Sequence, residues 1–228
     1  MPLRAIRGAR SLFAVLFVYD GQGNPTRYVA PGGAWTNNVP AGWQFAGSAY
    51  SPRSAPWFAY DASRLDAGPL AANASLDFAS EQEATLLLGD GVSTVAKKIV
   101  RQDFRTARMS PVQGVGDMWW GGPEQNGWGM AILEQQGSLF QIWFTYDASG
   151  APTWLVMPTG DWTDSRTFSG AIYRTHGSPW LGVPYDPTKL RADSVGHFAL
   201  RFDATDQATF DYDVDGRQGV LHLQRQSF

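Results

Sequence analysis

From residue 139 to residue 146 the side chains alternate. Phe140, Ile142, Phe144 and Tyr146 share one parity, and Leu139, Gln141, Trp143 and Thr145 share the other. Successive side chains on an extended chain point to opposite faces, so this period of two predicts a β-strand with one apolar face and one mixed face. Asp147-Ala148-Ser149-Gly150 follows, and then an apolar run over 153–157. A short Gly-containing loop between two such runs predicts a hairpin. Further strands are predicted over 167–173, 195–202, 208–214 and 219–226, with Asp215-Gly216 as the turn between the last two. No stretch holds a 3.6-residue period over a full helix length.

The same pattern occurs twice. Residues 11–36 and 138–163 share 14 identities over 26 ungapped positions, at an offset of 127. Average residue usage predicts roughly one or two by chance. The correspondence continues with small gaps: Phe45, Gly47 and Tyr50 answer Phe168, Gly170 and Tyr173, and Pro56-Trp57 answers Pro179-Trp180. Tyr60-Asp61 answers Tyr185-Asp186, Asp90-Gly91 stands at the matching turn, and Arg101-Gln102-Asp103-Phe104 answers Arg225-Gln226-Ser227-Phe228. A period this long indicates tandem units rather than a solenoid. The expected organisation is a first β unit at 1–105, a linker at 106–117 and a second β unit at 118–228. Many short strands at this spacing predict an all-β fold: two homologous antiparallel units, each a small up-and-down β-barrel or barrel-like sandwich. The segment Met118-Trp119-Trp120 through Gly127-Trp128-Gly129 has no counterpart in the first unit. That unit has lost its opening strand, or the chain is truncated there, and truncation is the favoured expectation. Residues 1–18 carry Arg4, Arg7 and Arg10 ahead of an apolar run but show no small-residue cleavage site, and the run recurs inside the chain. They are therefore not read as a signal peptide.

Trp119-Trp120, Pro123, Gly127-Trp128-Gly129, Trp143-Phe144-Thr145-Tyr146-Asp147, Gly150, Pro152, Trp154, Tyr173-Arg174-Thr175 and Gly177 form a pattern. It resembles a Trp-rich tandem repeat of predicted secreted proteobacterial proteins. The resemblance covers the second unit and, more weakly, the first, where Leu16 stands for Trp143 and Arg27 for Trp154. It implies an extracytoplasmic all-β protein, secreted or periplasmic, and transfers no catalytic residue.

Composition narrows the chemistry. With no cysteine, thiolate catalysis, Fe–S ligation and Cys-type zinc sites are excluded. A net charge of -3 argues against a broad nucleic-acid surface. No apolar run reaches the roughly 20 residues of a membrane-spanning helix. His176, His197 and His222 show no metal-ligand spacing, and no phosphate loop or nucleophile elbow is present, so no metal or cofactor is expected. Ten tryptophans are the main signal. Trp119, Trp120, Trp128, Trp143 and Trp154, with Glu124, Asn126 and His176 as polar neighbours, make a candidate ligand site. Aromatic rings beside polar groups suit a sugar, so the expected partner is a small-molecule or glycan ligand, and the expected function is non-catalytic extracytoplasmic binding. Two alternatives stand beside it. One is a hydrolase acting on a glycan or ester through Glu124, Glu134, Asp147 or Asp161. The other is a structural interaction module with no small-molecule site, which buries the aromatics against another chain. The indoles also have a purely structural reading, in which they plug the barrel or fill the contact between units.

Overall fold

The computed structural model describes residues 12–38, 42–102 and 110–226. Parts of the expected linker, both ends of the terminal correspondence and the arginine-rich start lie outside these residues.

The fold is all-β. The first unit runs β1 (Ala14–Tyr19), β2 (Pro25–Ala30), β3 (Ala34–Asn38), β4 (Gly42–Tyr50), β5 (Leu70–Phe78), β6 (Glu83–Gly89) and β7 (Thr94–Val100). The second runs β8 (Asp117–Trp120), β9 (Gly129–Gln135), β10 (Ser138–Tyr146), β11 (Pro152–Met157), β12 (Asp161–Trp162), β13 (Thr167–His176), β14 (Arg191–Phe202), β15 (Gln207–Val214) and β16 (Arg217–Arg225). Among the described residues every strand pairing is antiparallel. In the second unit the order β11-β10-β9-β8-β16-β15-β14-β13 closes on itself through Val156 opposite Tyr173. Eight strands make a closed barrel, which leaves no exposed edge. The first unit follows the same path from β1 to β7, including a matching bulge after Ala49 where the second has one after Ile172. It lacks counterparts of β8 and β9 among the described residues. The first unit is an open half-barrel and the second a closed one, which agrees with the expected pair of barrel-like units, the first without the opening segment.

The interior explains the alternation. Trp119, Met130, Leu139, Trp143, Met157, Phe168, Ile172, Phe198, Leu200, Phe210 and Leu223 fill the closed barrel. In the first unit the equivalent concave positions carry Ala30 for Met157, Ala49 for Ile172, Ala74 for Phe198 and Leu88 for Tyr212. Its core is correspondingly small: Ala30, Ala49 and Ala72, with Ala14, Leu16, Tyr28 and Trp180 packed on them. Fewer strands among the described residues and a reduced interior volume go together, because an open sheet encloses less space.

The two units exchange tryptophans. Trp57 leaves the first unit and packs within the second unit's core, 5.8 Å from Trp143 and 5.5 Å from Tyr212 between ring centroids. Its counterpart Trp180 leaves the second unit and covers the first unit's core, where its indole N–H donates to the Tyr28 hydroxyl at 3.2 Å. Short 3-10 turns at Trp57–Ala59 and Pro187–Lys189 lie on these exchanged segments. Among the described residues no helix is long and apolar enough to cross a membrane.

Candidate functional site

The face of β10 that bears Phe140, Ile142 and Phe144 is not solvent-facing. With Trp154, Val156 and Tyr173 it packs against Phe17 and Tyr19 of the first unit. At the centre of this contact, positions 27 and 154 act reciprocally. The Trp154 indole N–H donates to the carbonyls of Val18 (3.3 Å) and Thr26 (3.0 Å). The Arg27 guanidinium donates to the carbonyls of Thr145 and Thr153, the second at 3.0 Å. Val18 and Thr26 are the counterparts of Thr145 and Thr153 at the offset of 127. Trp154 packs on Phe17 and Tyr19, and Arg27 lies over Phe144 and Tyr146, 5.5 and 4.5 Å from the ring centroids. Ser54 N–H donates to the Gly150 carbonyl and Gly177 N–H to the Gly23 carbonyl, a second reciprocal pair. Self-complementary contact of this kind is the pattern of an isologous two-fold interface, here realised within one chain.

Arg27 is fully buried and has no carboxylate partner among the described residues. Its charge is held by three carbonyls, including Gly127 at 3.1 Å, and by two π faces. Burial pulls its pKa down to about 10, so it remains a cation at neutral pH. Burial pushes the Tyr146 phenol up to about 12, and the Tyr146 hydroxyl donates to the Gly127 carbonyl at 2.8 Å.

The candidate indoles are therefore divided between two packed regions. Trp119 and Trp143 are 0% and 1% exposed inside the barrel, and Trp128 is 4% exposed at its edge. Trp154, 7% exposed, belongs to the inter-unit contact. Trp119 donates to the Val115 carbonyl at 3.0 Å and Trp128 to Gln125 Oε1 at 3.4 Å. Only Trp120 is half-buried. Asn126 is exposed, and its carbonyl accepts from Tyr60 of the first unit. Glu124 is exposed on the short turn Pro123–Gln125, and His176 is half-buried at the end of β13. These eight residues do not make one open aromatic face. The expected face was inferred from strand parity, which separates two sides of a strand without saying what covers either.

The carboxylates are also dispersed. Glu134 Oε2 accepts from the backbone N–H groups of Val115 and Gly116 at 2.7 and 3.2 Å, fixing the entry to β8. Asp147 accepts from Ser149 and Ala151 within its own turn. Among the described residues no group of three His, Asp or Glu could hold a metal ion.

Aromatic and charged groups do converge at a place that strand parity did not indicate. A cavity of about 310 Å³ opens at one end of the barrel. Trp57, Phe58 and Leu155 form its apolar side, and Asp147, Thr153, Arg174, Asp215 and Arg217 its polar side. Arg174 and Asp215 form an ion pair at 2.6 Å, and the Arg217 guanidinium sits 4.1 Å over the Phe58 ring. Phe58 is 37% exposed. The one signal in the sequence was Pro56-Trp57 recurring at Pro179-Trp180; its destination in the other unit was not legible. A shallower cavity of about 640 Å³ on the first unit is lined by small residues such as Gly47, Ser48, Ala74 and Gly89, and no charged residue lines it.

No protein-family model, curated protein or solved structure matches this chain.

Proposed function

We propose that the protein is a non-catalytic, extracytoplasmic binding protein for a small hydroxylated ligand of the carbohydrate class, held at the mouth of the closed barrel. The observation that carries this reading is the meeting of an exposed ring, Phe58, an exposed cation lying over it, Arg217, and an ion pair, Arg174–Asp215, around one cavity. A sugar ring presents C–H groups on one face and hydroxyls at its edge. An aromatic surface packs the first, and carboxylate and guanidinium groups bond the second. The volume supports a small ligand. Ligand pockets commonly hold roughly 300–1,000 Å³, so this cavity takes one or two sugar residues and not a long chain at depth. The extracytoplasmic setting rests on the Trp-rich repeat resemblance.

The test is calorimetric titration of the whole chain with a panel of mono- and disaccharides, followed by Phe58→Ala and Arg217→Met. Phe58 is chosen over Trp57 because it is exposed and contributes less to the core. Loss of one ring contact of about 1–1.5 kcal/mol weakens binding roughly tenfold. Absence of saccharide binding across the panel, or binding that both variants leave unchanged, would overturn the proposal.

A further inference from the structure

The corresponding end of the first unit shows what the cavity at the barrel mouth has added. At the offset of 127, Asp147 and Thr153 answer to Asp20 and Thr26, and the duplicated motifs match Trp57 with Trp180 and Asp215 with Asp90. These positions are alike in both units. Three others differ. Phe58 answers to Leu181 and Arg174 to Ser51, and Arg217 falls within Val92-Ser93-Thr94, where the turn is longer. Burial raises the Tyr28 phenol above its ordinary value, and Asp20 and Asp90 raise it further, so both acids lie near the Tyr28–Trp180 contact. The first unit thus keeps the acids with no arginine at the matching positions, and the second adds two guanidinium groups and a ring.

The two added cations are not equivalent. Arg174 is committed to Asp215, Nη2 to Oδ2 at 2.6 Å. Arg217 is exposed, lies over the Phe58 ring and has no ion pair or hydrogen bond among the described residues. Asp147 Oδ1 accepts from the Ser149 N–H, the Ser149 hydroxyl and the Ala151 N–H at 2.8, 2.7 and 3.0 Å, which leaves Oδ2. One guanidinium edge and one carboxylate oxygen are therefore uncommitted around this cavity.

We propose that the ligand is a sugar acid, one molecule per chain, whose carboxylate is taken by Arg217 and one of whose ring hydroxyls donates to Asp147. This rests on reading the cavity as a saccharide site. A guanidinium presents a planar fork of donors that matches a carboxylate through two parallel bonds. A phenyl ring against its face leaves that edge free. Charge selects a monoanion: a phosphate would bring a second negative charge towards Asp147 and Asp215 with only one free cation to meet it.

Calorimetric titration of the whole chain compares galacturonate with galactose and glucuronate with glucose, with the methyl ester of each acid as its uncharged counterpart. Each acid is expected to bind roughly tenfold tighter than its neutral sugar and its ester, at one site per chain. Arg217→Gln should bring that ratio close to one; Arg217 is exposed, so thermal melting should show the fold unchanged. If sugars bind but each acid binds no better than its neutral partner, the sugar-acid assignment falls and the saccharide site stands. If no sugar of either kind binds, both fall. An acid preference that survives Arg217→Gln, displacement by acetate as effective as by galacturonate, tighter binding of a sugar sulfate or phosphate, or two sites per chain each overturns the assignment.

Discussion

Arg27 offers a severe test of the two-unit body. Replacing it with Met keeps an apolar stem of similar length and removes the guanidinium. Three buried or part-buried carbonyls, those of Thr145, Thr153 and Gly127, then lose a donor. The Gly127 carbonyl keeps the Tyr146 hydroxyl as a donor, so what is lost is the set of charged hydrogen bonds, each contributing about 1.5–3 kcal/mol. Relief from burying an uncompensated charge offsets part of the sum, so the expected loss is about 3 kcal/mol. For a chain of this length each kcal/mol moves the melting temperature by roughly 2–4 °C, which gives a drop of about 6–12 °C. Circular dichroism melting measures it. The informative control is Arg27→Trp, the residue at the matching position of the other unit. An indole N–H at that position reaches the equivalent pair of carbonyls from Trp154, so Arg27→Trp is expected to recover at least half of the loss. If Arg27→Met melts within about 1 °C of the parent, or if Arg27→Trp is no better than Arg27→Met, the reciprocal contact does not hold the units together as argued.

Alkaline pH should loosen the same region. Burial raises the pKa of Tyr146 to about 12 and also raises Tyr19, Tyr28, Tyr60 and Tyr212. A folded pKa above the unfolded value means that these phenols contribute stability in full below about pH 10, and that it is lost as pH climbs towards 12. Arg27, lowered to about 10, runs the opposite way and offsets a part as its proton leaves. Tyrosinate absorbance should therefore rise in two waves, the second coincident with loss of circular dichroism; one wave near pH 10 with the fold intact refutes this. Trp143→Leu, which installs the first unit's residue in the barrel, should cost about 2–4 kcal/mol through the cavity it leaves. Denaturant unfolding reads that value, and saccharide binding should survive it, because Trp143 is 1% exposed and does not line the cavity.

The contrast between Trp154 and Arg27 shows where sequence reading stops. An indole present in one copy and replaced in the other suggests a site kept once and lost once. In the structure both residues do one job, donating N–H bonds to equivalent carbonyls and packing on equivalent rings. Guanidinium and indole are chemically unlike but share a planar face that packs on aromatic rings and an N–H donor, and no alignment of letters displays that. Trp143 and Leu16 differ for another reason: the closed barrel has an interior to fill, and the open sheet does not.

Local pattern alone was enough for most of the strands, their turns and the all-β class, because side-chain alternation and turn chemistry act over a few residues; β9 (Gly129–Gln135) was not marked by it. Closure of one unit and not the other, the exchange of Trp57 and Trp180, and the cavity where Phe58 meets Arg217 were decided only in three dimensions. Each depends on pairings between residues far apart in the chain, and strand periodicity records which side a residue faces but not what lies opposite it.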